Sequence, residues 1–157
     1  MQGNTEKGEK RLALGLDLGS TTAKLVLTEN GEIVYQRYQR HMSRVRQTAA
    51  DMLRKMLSTE GVRAARVTVS GSAGLGLAEA AGMPFVQEVY ATGKVVEAAA
   101  PDTNVVIELG GEDAKVIFFD GGVDERMNGT CAGGTGAFID QMAVLLNMTV
   151  DEMDEAS

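Results

Sequence analysis

The amino-acid sequence predicts an α/β fold in which two related lobes each open with a meander of three strands. In each meander, a glycine-containing turn follows the first strand and a second turn follows the next. The predicted strands span residues 12–17, 22–28 and 33–38 in the first meander, and 105–109, 114–119 and 123–127 in the second. Because this order recurs, we expect a first lobe at residues 11–101 and the N-terminal part of a second lobe at residues 102–157. The polar residues 1–10 are predicted to be a disordered lead-in.

The first lobe carries clear turn and helix signals. Asn-Gly at residues 30–31 is a strong two-residue hairpin signal. Apolar residues then recur at helical spacing over residues 45–57, with Ser43 placed to cap the start of this helix and Gly61 to end it. A further strand is predicted at residues 66–70, and two shorter helices follow it.

The second lobe begins with a continuous apolar run, VVIEL at residues 105–109, which predicts a strand buried on both faces. A glycine-rich loop at residues 129–136, GTCAGGTG, leads into a helix whose apolar face lies within residues 138–146. Thr149 and Glu152 have the spacing of a capping box for one more helix. Because that helix starts only a turn or so before Ser157, we expect the second lobe to be truncated.

The composition excludes several classes of protein. The chain has 157 residues, 44% of them hydrophobic and 24% charged, which is typical of a soluble globular domain. Its net charge of −7 argues against a nucleic-acid or anionic-lipid partner. No run approaches the roughly 20 apolar residues of a membrane span. The polar start is no signal peptide and a single cysteine forms no internal disulfide, so we expect a cytoplasmic protein.

The first cluster of residues that could form a functional site is GLDLGSTTAK at residues 15–24. In this turn, consecutive backbone N–H groups can converge on an anion such as a terminal phosphate. The candidate donors are Gly19, Ser20, Thr21 and Thr22. Lys24 adds a cation if it points inward, and Asp17 suits such a site only if a metal ion or its water shell lies between the carboxylate and the phosphate. The alternative interpretation is a plain hairpin with a polar turn.

A second cluster, ELGGEDAK at residues 108–115, has the same arrangement: an acidic residue at the end of a strand, followed by a glycine-containing turn. Its three carboxylates, Glu108, Glu112 and Asp113, can hold Mg²⁺ through water or position an attacking water. Its paired glycines, Gly110 and Gly111, allow close approach of a phosphate. The alternative is again a hairpin with its carboxylates in solvent. Two such turns, one in each lobe, can hold the phosphates of a nucleotide from opposite sides of a cleft.

A third cluster surrounds the lone Cys131, just before a glycine-rich helix start. Helix N-termini stabilise a thiolate, which is the form that binds metal or attacks an electrophile. The alternative is a small buried residue in a tight loop.

Two other features are interpreted structurally. SGSAGLG at residues 70–76 departs from the dinucleotide-binding pattern, so it is interpreted as a lobe turn. His41 has no partner near it in sequence and is predicted at the surface.

Together and in this order, the three clusters resemble a known family. GLDLGSTTAK, ELGGEDAK and NGTCAGGTGAFIDQMA are similar to the two phosphate loops and the cluster-cysteine loop of the activator ATPases of 2-hydroxyacyl-CoA dehydratases, in the BadF/BadG/BcrA/BcrD ATPase family. The resemblance runs from about residue 12 to the end. It implies the ribonuclease-H-like fold shared by actin, the sugar kinases and the heat-shock chaperone ATPases, with ATP between two lobes.

The resemblance also implies residue roles and cofactors. The turn at residues 19–22 would hold the terminal phosphates of ATP or ADP, Asp17 would lie beside Mg²⁺, and Gly110-Gly111 with Glu112 would close on the γ-phosphate. Cys131 would be a ligand of a [4Fe-4S] cluster shared between the two subunits of a homodimer, each giving two cysteines.

The function implied by the resemblance is transfer of a low-potential electron, driven by ATP hydrolysis, to a 2-hydroxyacyl-CoA dehydratase or benzoyl-CoA-reductase-type partner. The electron donor would be a protein such as ferredoxin or flavodoxin. The second cluster cysteine would lie beyond Ser157, so we expect little ATPase activity and no stable cluster from this chain alone.

Two residues depart from the family pattern, and two other functions stay open. Glu108 stands where an aspartate is commoner and can reach a metal directly, while Glu112 stands where glutamine is frequent and can act as a base for water.

The first alternative function is a small-molecule kinase of the amino-sugar type, with Asp113 as its catalytic carboxylate. The second is a nucleotide-sensing regulatory module, which predicts nucleotide binding without iron.

Overall fold

The computed structural model describes residues 11–62, 65–128 and 134–157; the predicted lead-in at residues 1–10 lies outside them. The described chain forms two compact units. The first contains the described residues up to Leu18 together with Thr22–Phe85, and the second contains Gly19–Thr21 together with Val86–Ser157. The predicted division into lobes at residues 101–102 stays a prediction.

The first unit is built on a four-stranded sheet in the order β3-β2-β1-β4. The strands β1 (Leu12–Leu18), β2 (Thr22–Glu29) and β3 (Glu32–Arg40) form the predicted antiparallel meander, and β4 (Arg66–Ser70) pairs in parallel with β1. The central strand β1 therefore ends between two neighbours. This register places Lys24 on one side of Asp17 and Ser70 on the other.

Helix α1 (Val45–Glu60) covers one face of this sheet with the predicted apolar stripe. Its methionines Met52 and Met56 are buried at 1% exposure against the leucines of β1 and β2, so each contributes roughly 1.5–3 kcal/mol of apolar burial. The helix ends at Gly61 in the left-handed conformation (φ 62°), as predicted, with the N–H of Gly61 donating to the carbonyl of Leu57.

The start of α1 differs from the prediction at two residues. Ser43 does not cap the helix; the N-cap is Arg44, which makes no side-chain capping bond. His41 is buried at 3% exposure rather than lying at the surface. Its carbonyl accepts from the N–H of Arg44 at 2.8 Å, and its Nδ1 accepts from the N–H of Ser43 at 3.2 Å. Left-handed backbone at Met42 and Ser43, which sequence rarely reveals in non-glycine residues, folds the imidazole inward.

A short helix, α2 (Leu75–Ala81), completes the first unit, and α3 (Glu88–Ala99) opens the second. The second unit has a three-stranded antiparallel sheet in the order β5-β6-β7. Its strands are β5 (Val105–Leu109), β6 (Ala114–Phe118) and β7 (Asp124–Met127), and the helices α4 (Gly136–Leu146) and α5 (Val150–Glu155) follow them. The predicted capping box of α5 is present, since Thr149 and Glu152 bond reciprocally. Among the described residues, no helix is long and apolar enough to cross a membrane.

The prediction that β5 is buried on both faces is wrong. Val105, Ile107 and Leu109 are 44%, 69% and 55% exposed. These three residues share one face of the strand, whereas Val106 and Glu108 on the other face are half-buried. The apolar run of β5 therefore shows what the strand can bury, whereas its actual burial depends on neighbours outside the strand.

Candidate functional site

The carboxylate of Asp17 lies at the end of β1 and is held through both of its oxygens. Oδ2 accepts from the ammonium of Lys24 at 2.8 Å, and Oδ1 accepts from the hydroxyl of Ser70 at 3.0 Å. The Asp17 and Lys24 side chains remain 31% and 46% exposed, so a ligand in solvent has access to both. Lys24 thus points toward Asp17, the acidic residue of the first predicted phosphate loop.

The loop after β4 packs against the end of β1 without any space for a side chain. Gly71 has a left-handed φ of 88°, and a Cβ atom there would lie 2.5 Å from the carbonyl carbon of Leu18 and 2.7 Å from Oδ1 of Asp17. The N–H of Ala73 also donates to the carbonyl of Leu18 at 2.8 Å. The segment interpreted as a lobe turn therefore packs directly against the end of β1, next to the carboxylate of Asp17.

In the second unit, the two predicted phosphate loops meet at Thr21 and Gly111. A Cβ atom on Gly111 would lie 2.7 Å from Cγ2 and 3.0 Å from Cβ of Thr21, and would also overlap Oγ1 of Thr21. Only glycine allows this approach. The sequence motifs predict each loop separately, whereas the contact between the two loops is seen only in the structure.

The hairpin between β5 and β6 is fixed by the start of α4. The N–H of Gly136 donates to the carbonyl of Gly110 at 2.8 Å, and the N–H of Ala137 donates to the carbonyl of Gly111 at 3.0 Å. These bonds replace a side-chain cap, which the N-cap residue Thr135 does not provide. The first turn of α4 thus holds two consecutive peptide units of the hairpin in a defined orientation.

This orientation determines where the hairpin's donors point. In a trans peptide the N–H is antiparallel to the carbonyl, and there is no cis peptide among the described residues. Because the carbonyls of Gly110 and Gly111 point at α4, the N–H groups of Gly111 and Glu112 point away from it, on one side. Neither N–H donates to a backbone acceptor in the described part of the chain. Two adjacent N–H groups that point in the same direction can bind an anion by donating to it.

The carboxylates of this hairpin have different surroundings. Glu112 is exposed and Asp113 is half-buried. Oε2 of Glu108 is buried, and Glu108 lies opposite Lys115 in the antiparallel pairing of β5 with β6. Lys115 is 5% exposed and forms an ion pair with Glu88 at the start of α3. The sequence motifs gave no role to Lys115 or Glu88, although a lysine at an inward position of a strand was the available signal.

Three residues, Cys131, Asp17 and Glu108, are predicted from the sequence to bind metal. Cys131 lies outside the described residues. Within residues 11–62, 65–128 and 134–157, no three histidine, aspartate or glutamate side chains are grouped as metal ligands. Asp17 and Glu108, both predicted near Mg²⁺, belong to different units. Their roles toward a metal remain predictions.

Comparison with known families identifies the chain. The model of the BadF/BadG/BcrA/BcrD ATPase family matches residues 14–157. The chain belongs to this family. The chain is also similar to the 2-hydroxyisocaproyl-CoA dehydratase activator of Clostridioides difficile, which is 29% identical over 150 residues, covering 92% of this chain and 56% of the relative.

Two solved structures of the activator type are similar to this chain. The activator of the 2-hydroxyisocaproyl-CoA dehydratase from Clostridium difficile with bound ADPNP has a TM-score of 0.74 and 30% identity, covering 90% of this chain and 54% of that one. Component A of the Acidaminococcus fermentans (R)-2-hydroxyglutaryl-CoA dehydratase has a TM-score of 0.79 and 27% identity, with coverages of 92% and 57%. These likenesses confirm the predicted fold class. The chain spans a little over half the length of these BadF/BadG/BcrA/BcrD-type relatives.

Proposed function

We propose that the protein is an ATP-hydrolysing activator that passes a low-potential electron to a 2-hydroxyacyl-CoA dehydratase or a related reductase. The observation that carries the nucleotide part is the meeting of Thr21 with Gly111, beside the similarly directed N–H groups of Gly111 and Glu112. An anion bound there would contact the second predicted phosphate loop next to a residue of the first. The ADPNP-bound relative supports a nucleotide as that anion.

In this proposal, the phosphates of ATP or ADP are held by backbone donors of both loops. The donors are the N–H groups of residues 19–22 from the first loop and those of Gly111 and Glu112 from the second. Asp17 would hold Mg²⁺, directly or through water, and Glu108 would contribute to the metal's water shell. Carboxylate oxygens are ligands that Mg²⁺ prefers, and the bound ion would supply neutralisation of charge that develops on the phosphates.

Hydrolysis then requires a group that orients and deprotonates water. The proposal gives this role to Glu112, and two observations support it: the side chain of Glu112 is exposed, and its N–H points away from α4 together with that of Gly111. Asp113, half-buried in the same turn, assists by fixing the turn: its carbonyl accepts from the N–H of Gly110 at 2.7 Å.

The electron-transfer part of the proposal rests on Cys131. A [4Fe-4S] cluster needs four thiolate ligands, and this chain has one cysteine. The proposal therefore requires further cysteines outside this chain, and a homodimer that shares one cluster. A ferredoxin- or flavodoxin-type donor would reduce the cluster. The names of the relatives support a dehydratase as the acceptor.

The deciding experiment is to assay iron and acid-labile sulfide in the full-length protein, purified without oxygen, before and after Cys131→Ala. We expect about four iron atoms per dimer, lost in the variant, with ATP binding retained. Iron-free protein that still binds ATP would overturn the electron-transfer part and favour a kinase or a nucleotide sensor. Protein that contains iron but binds no nucleotide would overturn the ATPase part.

A further inference from the structure

A buried lysine lies behind the second glycine hairpin. Lys115 is the second residue of β6, and its side chain is only 6% exposed. Two residues further along the same face, Ile117 is completely buried. An apolar side chain would therefore suit this position by packing alone, so the charge of Lys115 requires another explanation.

Acidic residues from three separate elements are associated with this lysine. Glu88, in the first turn of α3, forms an ion pair and a hydrogen bond with Nζ of Lys115. Asp113, in the hairpin turn, has Oδ2 at 4.0 Å from the same nitrogen. Glu108 is the cross-strand partner of Lys115 on β5. The ammonium thus connects the start of α3 with the turn that carries the two predicted catalytic carboxylates.

The contact with Asp113 links Lys115 to the geometry of the turn. The carbonyl of Asp113 accepts from the N–H of Gly110, so a shift of Asp113 moves both ends of the four-residue turn. Glu112 lies between them. Asp113 also places a negative charge close to the donors that would meet phosphate, and a nearby ammonium offsets that repulsion.

We propose that Lys115 is a positioning residue for ATP hydrolysis, anchored by Glu88. It holds the carboxylate of Asp113, and with it Glu112, in the arrangement that the chemical step needs, and it couples this turn to the start of α3. The inference rests on the proposed ATPase function. Its specific content is that the ion pair acts on the rate of the chemical step more than on nucleotide binding or on folding.

The test compares variants of the full-length protein in steady-state ATP hydrolysis and thermal unfolding. Glu88→Gln leaves the buried ammonium of Lys115 without its main partner, which is strongly destabilising. Lys115→Met leaves Glu88 unpaired, at a side chain that is 31% exposed, and should cost less stability. The double variant, Lys115→Met with Glu88→Gln, removes both charges, and such replacements are often neutral for stability. Lys94→Met is the matched control, because Lys94 pairs with Glu97 on the same helix in an exposed position.

We expect the double variant to fold with a midpoint near that of the wild type, while kcat falls by about 10-fold or more and KM for ATP changes by less than about 3-fold. Lys115→Arg should recover part of kcat, because it keeps the charge, and Lys94→Met should leave kcat unchanged. A double variant with wild-type kcat, or one that does not fold, would overturn the inference in favour of a structural ion pair. A wild-type protein without ATPase activity would overturn the proposed function, and this inference with it.

Discussion

Nζ of Lys24 lies 2.8 Å from Oδ2 of Asp17, across the register of β1 and β2. The pair is partly exposed, and such ion pairs contribute little to folding stability, typically about 0–1 kcal/mol. Its consequence is electrostatic. Without nucleotide, the negative charge of Asp17 is already offset by a cation, so a metal ion that binds Asp17 in the proposed function must compete with Lys24 for the same oxygen.

The first prediction concerns Asp17→Asn. The substitution removes the charge that would attract Mg²⁺, so we expect Mg²⁺-dependent tightening of ADP binding to be lost and ATP hydrolysis to fall by about 100-fold or more. Stability should change little, because Lys24 is exposed and can turn to solvent. Isothermal titration with and without Mg²⁺ measures the effect.

The matched control for this substitution is Asp51→Asn. Asp51 also pairs with a cation in the first unit, Arg54 at 2.7 Å, but lies on the exposed face of α1. It should retain the full Mg²⁺ effect. Equal Mg²⁺ dependence in Asp17→Asn and the wild type would remove Asp17 from the proposed metal site.

The second prediction concerns Gly111→Ala. The added methyl group would overlap the Thr21 side chain, so the contact between the two loops must open. We expect nucleotide binding to weaken by about 10-fold or more, through displacement of the turn. Adding Thr21→Gly removes the overlapping atoms and should restore part of the affinity, as measured by titration with ADP.

Gly76→Ala serves as the control for this pair. Gly76 lies in helix α2 with no atom within 4 Å of its added Cβ, so alanine should raise stability by up to about 1 kcal/mol and leave nucleotide binding unchanged. If Gly111→Ala binds ADP as the wild type does, the contact with Thr21 has no part in the site.

How much of this site was predictable depends on the range of the interactions. The local signals were sufficient for the strand meanders, for the C-cap at Gly61 and for the capping box at Thr149, since each depends on residues a few positions apart. Contacts between distant segments were not predictable in this way. Ser70 reaches Asp17 through parallel pairing of β4 with β1, and 53 positions separate the two residues.

The two main errors have the same origin. Burial of Ile107 was inferred from an apolar run, but the burial of a strand face depends on which elements pack on it, and Ile107 is 69% exposed. His41 was placed at the surface because no partner is near it in sequence, whereas left-handed backbone at the next two residues brings Ser43 and Arg44 onto it. In both cases, the path of the backbone and the neighbouring elements, rather than the residue type, determine whether the side chain is buried.

The third prediction concerns Gly71→Ala, which combines two costs. The φ of 88° disfavours any residue with a Cβ, and the added methyl group would overlap the backbone of Leu18. Because backbone cannot turn aside as a flexible side chain can, we expect a loss of about 2–4 kcal/mol in the free energy of unfolding. Urea denaturation measures it.

Gly61→Ala separates these two costs. Gly61 has a φ of 62° but no atom within 4 Å of an added Cβ, so alanine there should cost only about 1–2 kcal/mol from the backbone conformation. Equal losses at the two glycines would mean that the close packing of Gly71 on β1 adds nothing to the strain.

The fourth prediction concerns the pH dependence of the capping box at α5. The N–H of Thr149 donates to Oε2 of Glu152 at 2.7 Å, and the Thr149 hydroxyl donates to the same oxygen at 3.0 Å. The backbone bond first, and the hydroxyl bond second, lower the pKa of Glu152 from its ordinary value of 4.5. The carboxylate therefore stabilises the helix start fully above pH 4.5, and this contribution is lost as the pH falls through the lowered pKa.

Nuclear magnetic resonance can follow the Glu152 carboxyl and the Thr149 amide in one acid titration. We expect both signals to change together at a midpoint below 4.5, while α5 loses helical character over the same interval. Thr149→Ala removes the hydroxyl bond but retains the backbone bond, so the pKa should rise only part of the way toward its ordinary value. A wild-type midpoint at or above 4.5 would show that the reciprocal bonds do not hold α5 in solution.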